Sequence, residues 1–202
     1  MKKDEVMSEK KAVKLVAFSG SARKDSLNRK LLSRAVKAAE SAGAEVSVVD
    51  LGMLDLPIYD QDREAEAGFP QAVLDLKKTM RESDGFLIAS PEHNSGYSAL
   101  LKNTIDWTSR SSGADDPGLA CYAGKYAALL AASPGALGGL RGLFALRELL
   151  QNIGVTVLPG MQAVGSAHQA FDDDGNLKDE KTAGNVNNLV AALVSALQKI
   201  RA

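Results

Sequence analysis

The chain has 202 residues, 45% of them hydrophobic and 24% charged, with a formal net charge of -1. That length suits a single α/β domain with a sizeable core, and the absence of surplus Lys and Arg excludes a nucleic-acid or anionic-membrane partner attracted by bulk charge. The lone cysteine, Cys121, excludes an intrachain disulfide framework and any Cys-rich metal or iron–sulfur site, and it reads as structural rather than redox-active.

Met1 to Lys11 is densely charged and lacks the apolar centre of a secretory signal. Residues 1–12 are expected to form a flexible charged tail, and 13–202 one domain. Val13–Phe18 is a short apolar run that predicts a buried strand. Ser26–Ala42 predicts a helix, with Leu27, Leu31, Ala35 and Ala38 at helical spacing and Gly43 as a stop. Glu45–Leu51 alternates and predicts a second strand, followed by a long acidic loop over Gly52–Pro70 and a helix over Gln71–Glu82. Gly85–Ala89 predicts a third strand, Ala99–Ser109 a helix, Tyr126–Ala131 a fourth strand and Gly138–Asn152 a helix. Val155–Leu158 predicts a fifth strand, Asp172–Asn176 an acidic turn, and Asp179–Arg201 a last amphipathic helix.

Strands alternating with helices predict a parallel sheet covered on both faces. Such sheets bind ligands at the carboxyl ends of their strands, and three loops that follow strands directly carry unusual chemistry. No apolar run reaches the roughly 20 residues of a membrane helix, so no membrane insertion is expected. A cytoplasmic, reducing compartment fits the cysteine usage.

The first loop, Ser19-Gly20-Ser21-Ala22-Arg23-Lys24-Asp25-Ser26-Leu27-Asn28, joins the first strand to the first helix. A helix start offers unpaired N–H groups and a partial positive charge to a phosphate. Gly20 allows close backbone approach, the Ser21 and Ser26 hydroxyls and the Asn28 amide can donate, and the Arg23 guanidinium matches phosphate oxygens. Neither the Gly-x-x-x-x-Gly-Lys-Ser/Thr pattern of a nucleotide-hydrolysing loop nor the Gly-x-Gly-x-x-Gly of a dinucleotide site is present. Taken singly, Ser26 also reads as a helix cap and Arg23 as a solvated turn residue.

The second loop, Ser90-Pro91-Glu92-His93-Asn94-Ser95-Gly96, sets three polar side chains on an arc stiffened by Pro91 and relaxed by Gly96. Its backbone N–H groups can bond the polar edge of a flat ring. His93 reads as a loop donor, a solvated residue or an acid/base group; with His168 as the only other histidine, no metal-ligand spacing exists. In the following helix, Trp107 reads as core, interface or ligand platform. The third loop, Ser133-Pro134-Gly135-Ala136-Leu137-Gly138-Gly139, is small and close-approaching, suited to a ligand face or simply to a turn before a helix.

On these motifs the chain resembles the NADPH-dependent FMN reductase family, which includes quinone, azo-dye and chromate reductases. Gly20-Ser21-x-Arg23-x-x-Ser26-x-Asn28 is similar to that family's FMN phosphate loop. Pro91-Glu92-His93-Asn94 with Leu101-Lys102-Asn103-x-x-Asp106-Trp107 is similar to its isoalloxazine loop and helix, and Ser133-Pro134-Gly135 to its third flavin loop. The chain departs from the family pattern at His93, where Tyr is usual, and at Ser98-Ala99, where Pro-Gly is usual.

The resemblance implies a three-layer flavodoxin-like fold with a five-stranded parallel sheet in the order 2-1-3-4-5. It implies FMN contacts from Ser19, Ser21, Arg23, Ser26, Leu27, Asn28, Pro91, Glu92, His93, Asn94, Ser95, Ser133 and Gly135. It further implies a homodimer or homotetramer that passes hydride from NADPH or NADH through FMN to small oxidants such as quinones, azo compounds, chromate or ferric complexes. No catalytic side chain is required, because the flavin carries the chemistry. Other readings are a flavodoxin-type electron carrier, which a net charge of -1 disfavours, and a non-catalytic flavin-binding regulator. Arg110 is a candidate for the 2′-phosphate of NADPH, or for an interface ion pair.

Overall fold

The computed structural model describes residues 11–201; of the expected tail, residues 1–10 lie outside the described region. Strands β1 (Val13–Ser19), β2 (Ala44–Val49), β3 (Gly85–Ala89), β4 (Tyr126–Ala132) and β5 (Thr156–Val157) form a parallel sheet in the order β2-β1-β3-β4-β5. A further segment, β6 (Gln162–Val164), also pairs with β4. The central strand β3 is buried along its whole length, and β1 at every position but Lys14. That is why both read as apolar runs, in β1 broken only by Lys14, rather than as alternation.

Helices α1 (Leu27–Ser41) and α6 (Glu180–Ile200) cover one face; α3 (Gln71–Arg81), α4 (Ala99–Thr108) and α5 (Leu140–Asn152) cover the other. The period-two geometry of a strand divides the core. Leu15, Ala17, Leu87 and Leu130 pack with Leu31 and Ala35 of α1 and with Val190, Leu193 and Leu197 of α6. The alternate residues Val16, Phe18, Phe86, Ile88 and Leu129 pack with Met80, Leu101, Ile105, Leu143 and Leu146. The architecture is the expected flavodoxin-like one.

Two segments differ from the sequence expectation. A 3-10 turn, Leu51–Met53, takes the last residue of the strand expected over 45–51 and the start of the loop expected over 52–70, and that loop also contains a helix α2, Gln61–Ala67. No residue of α2 is buried, so it has no apolar stripe to betray it. Its start is set by Asp60, whose carboxylate accepts from the Asp62 and Arg63 N–H groups at 2.8 and 3.1 Å. The fifth strand position is split: Tyr126 and Ala127 pair with Thr156 and Val157, whereas Leu130–Ala132 pair with Gln162–Val164. Pro159 lies in the gap, where it has no N–H to give to the ladder. The acidic turn forms as expected, closed by Asn176 N–H on Asp172 Oδ1 at 2.7 Å.

Candidate functional site

The loops after β1, β3 and β4 meet above the carboxyl edge of the sheet. Gly20 N–H donates to the Ala89 carbonyl at 2.9 Å, stitching the first loop to the end of β3. A Cβ on Gly20 would stand 2.8 Å from Ser98 Oγ and 3.3 Å from Pro91 Cδ. Only glycine fits where the first two loops touch.

Within the first loop, each serine hydroxyl oxygen accepts from the backbone. Ser19 Oγ takes Ser21 N–H at 3.3 Å, Ser21 Oγ takes Arg23 N–H at 3.4 Å, and Ser26 Oγ takes Arg29 N–H at 3.3 Å. Ser26 is thus the α1 cap, and the bonded serines wind the segment into a concave turn while their own O–H protons stay free to donate. Arg23 is exposed and its side chain makes no hydrogen bond or ion pair among the described residues. Leu27 is half-buried against the α1–α6 core.

Asn28 points inward. It is buried; its amide nitrogen donates to the Ala132 carbonyl at 2.9 Å and its amide oxygen accepts from the Ala132 N–H at 2.9 Å. The side chain acts as a stand-in peptide unit that ties the start of α1 to the end of β4. Its principal work is therefore structural, where the sequence suggested phosphate donation.

The second loop closes as a two-residue hairpin. His93 and Gly96 exchange both backbone hydrogen bonds, at 2.9 and 3.0 Å, around Asn94 and Ser95 with φ of 52° and 65°. Both central residues are left-handed, the backbone of a type I′ turn. Asn tolerates that region, whereas Ser there stores roughly 1 kcal/mol. His93, Asn94 and Ser95 are exposed at the tip and Pro91 is half-buried at the base.

Glu92 turns away from the tip toward the first turn of α5, just past the third loop. Its carboxylate accepts from Arg141 Nε at 2.8 Å and from Gly142 N–H at 3.2 Å, with Arg141 Nη2 2.6 Å away. Burial raises its pKa, but the Gly142 N–H and the Arg141 guanidinium outweigh burial and hold the carboxyl below its ordinary range. Ser98 caps α4 by accepting from Leu101 N–H at 3.2 Å.

The third loop is equally crowded. Ser133 Oγ accepts from Gly135 N–H at 3.3 Å. Gly139 has φ of 92°, and a Cβ there would lie 2.8 Å from that of Ala131. Between the second and third loops lies an open cleft of about 390 Å³, whose walls include Glu92, Asn94, Ser95, Ser133, Gly135 and Arg141. The turn after β6, which carries no motif in the sequence, braces the third loop through Ala167 N–H on Ser133 O at 3.0 Å.

Other singled-out residues lie elsewhere. Trp107 is fully buried, donates to the Pro57 carbonyl at 2.8 Å, and meets the Tyr59 and Phe69 rings edge-on; it is core, not a ligand platform. Asn103 accepts from Tyr59 N–H at 2.8 Å and donates to Pro57 O at 2.9 Å, so this face of α4 anchors the segment after β2. Arg110, beyond the far end of α4, pairs with Glu64 at 2.9 Å and stacks over Tyr59, an ion pair within the chain rather than across an interface. Burial pushes the Cys121 thiol up to about 11, so it stays protonated at neutral pH. Among the described residues no group of His, Cys, Asp and Glu could hold a metal ion, and no helix is long and apolar enough to cross a membrane.

The sequence model of the family described as NADPH-dependent FMN reductase matches residues 13–169. A probable NADPH:quinone oxidoreductase of Oryza sativa is 33% identical over 91% of this chain and 88% of its own. A quinone reductase of Escherichia coli K12 is 32% identical over 96% of this chain and 100% of its own. The solved structure of a flavoenzyme NAD(P)H:(acceptor) oxidoreductase from Paracoccus denitrificans superposes with a TM-score of 0.78 at 34% identity, covering 93% of this chain and 98% of that one. With more than half of its length matched and full-length relatives above 30% identity, the chain belongs to the NADPH-dependent FMN reductase family.

Proposed function

We propose that the protein is an FMN-dependent NAD(P)H oxidoreductase that reduces small oxidants, quinones foremost. The observation that carries this reading is the meeting of a Ser- and Arg-bearing loop, at the start of α1, with the cleft between the second and third loops. The residues present fit FMN. The first loop offers hydroxyl donors, an uncommitted guanidinium and a helix start, which suits a phosphate. The cleft offers backbone and small side chains, which suit a flat ring.

When FMN is bound, it supplies two-electron chemistry between a nicotinamide donor and an oxidant. In this proposal Ser21, Arg23 and Ser26 hold the phosphate, with Ser19 and Leu27 shaping the floor beside it. Pro91, His93, Asn94 and Ser95 frame one side of the ring site, and Ser133 and Gly135 the other. Glu92 sets the spacing between those walls by clamping Arg141 and Gly142. Asn28 holds the first loop to β4. The wide mouth of the cleft suits alternate entry of donor and oxidant and only loose selection among oxidants.

Exposed Met53 and Ile58 on the segment after β2 support assembly as a homodimer or larger homo-oligomer, which sedimentation at micromolar concentration checks. The test of function is the visible spectrum of the purified protein followed by turnover. Oxidised-flavin bands that bleach with NADPH or NADH, and steady NAD(P)H oxidation with a quinone and no added reductase, are expected. A flavin-bearing protein that turns over only with a separate reductase would instead be an electron carrier.

A further inference from the structure

Arg29 and Asp50 are absent from the sequence motifs, yet Arg29 bonds the first loop and Asp50 pairs with Arg29. Arg29 sits in the first turn of α1 and reaches back along it. Its Nε donates to the Ser21 carbonyl at 3.2 Å, and its Nη2 forms an ion pair with Asp50. Asp50, just past the end of β2, also accepts Gly52 N–H at 3.0 Å and so caps the 3-10 turn Leu51–Met53. That turn presses on the first loop: a Cβ on Gly52 would stand 2.7 Å from the Ala22 Cβ and 3.2 Å from its Cα.

The first loop is therefore gripped from two sides. Gly20 is bonded to β3, and Ser21–Ala22 are held by Arg29, Asp50 and Gly52. Between the grips, Ser21 and Arg23 project from a segment of otherwise exposed residues. A loop that must order on binding pays that entropy out of affinity, and a loop ordered beforehand does not. Because Arg29 is matched by Asp50, its charge is largely answered inside the chain, leaving Arg23 and Lys24 as the exposed cations of the loop without a partner among the described residues.

We propose that Arg29 and Asp50 are positioning residues for phosphate binding. They hold the Ser21–Arg23 turn in its binding shape without themselves touching the phosphate. This inference rests on the assignment of that loop to the FMN phosphate. It gives a counter-intuitive sign: Asp50→Asn removes a negative charge near an anion site, yet weakens FMN.

The experiment is titration of the flavin-free full-length chain with FMN and with riboflavin, which lacks the phosphate, read by flavin fluorescence. Arg23→Ala, Arg29→Ala, Asp50→Asn and the double variant at 29 and 50 are compared with the unaltered chain. Arg29→Ala and Asp50→Asn are each expected to weaken FMN about tenfold, the scale of one lost hydrogen bond plus a half-exposed ion pair. Riboflavin affinity should stay within a factor of two or so, and the double variant should be no weaker than the worse single one. Tighter FMN binding by Asp50→Asn would overturn the proposal, because it would make Arg29 a direct phosphate ligand restrained by Asp50. Equal losses for FMN and riboflavin would also overturn it, as general loosening of the site. If only Arg23→Ala loses the preference for FMN, the phosphate assignment stands and the positioning role fails. If no variant changes the preference, both fail together.

Discussion

Replacing Asn28 with Ala tests whether the amide is a structural staple or a phosphate ligand. The wild-type side chain makes two buried hydrogen bonds to one residue, Ala132, at 2.9 Å each. On the side of β4 to which the Ala132 N–H and C=O point, β3 has already ended, its last residue Ala89 pairing with Leu130, and β6 lies on the opposite side, so no strand can take over. Truncation leaves a buried N–H and a buried C=O without partners. At roughly 1–3 kcal/mol for each orphaned group, with partial relaxation, the expected loss is about 2–4 kcal/mol. For a chain of this size that lowers the melting temperature by about 5–12 °C. The measurement is thermal and urea unfolding of the flavin-free protein, which removes any contribution from ligand linkage. Asn28→Asp sharpens it: the carboxylate still accepts from Ala132 N–H but sets a second oxygen against the Ala132 carbonyl, so it should be no more stable than Asn28→Ala at neutral pH. A shift below about 2 °C, accompanied by a selective loss of FMN affinity, would refute the staple and restore Asn28 as a phosphate contact.

The second loop supports further tests. Ser95→Gly should raise the melting temperature by about 2–4 °C, since the left-handed φ of 65° is strained for Ser and free for Gly; no change would mean that the hairpin frays independently of global unfolding. The pKa of Glu92 is held down in the folded state, so its clamp contributes stability that is fully present above the ordinary carboxylate pKa and is lost as pH falls through the lowered folded value. Glu92→Gln should remove that component of acid sensitivity, visible as a flatter stability profile on the acid side; an unchanged profile would place the acid transition on other carboxylates. His93→Tyr should leave FMN bound, because His93 enters the hairpin through its backbone. It should alter the ratio of kcat/KM between quinones, and identical ratios across several quinones would show that the ring does not face the oxidant.

How much was legible in the sequence varied with the kind of interaction. Elements with an apolar face declared themselves: β1, β3, β4, α1, α5 and α6 lie within a few residues of where periodicity placed them. Helix α2 did not, because it buries nothing. The break between β5 and β6 was marked by Pro159 but needed the pairing with β4 to be seen. The capping role at Ser26 follows from local spacing and could be read directly, whereas that of Ser98 emerged with the structure.

What the sequence alone determined was the alternation of strands and helices, the sheet's parallel sense, and three strand-end loops whose residue types suit an anion and a flat ring. These follow from periodicity, composition and local backbone preference, all encoded within about fifteen residues. What only the tertiary structure decided was the direction in which each polar side chain of those loops points. Asn28 turns to Ala132, 104 residues on; Glu92 turns to Arg141 and Gly142, 49 and 50 residues on; Arg110 turns to Glu64, 46 residues back. A polar side chain takes the partner that burial leaves within 3 Å or so of it, and that partner is chosen by the packing of distant segments, not by its neighbours in the chain.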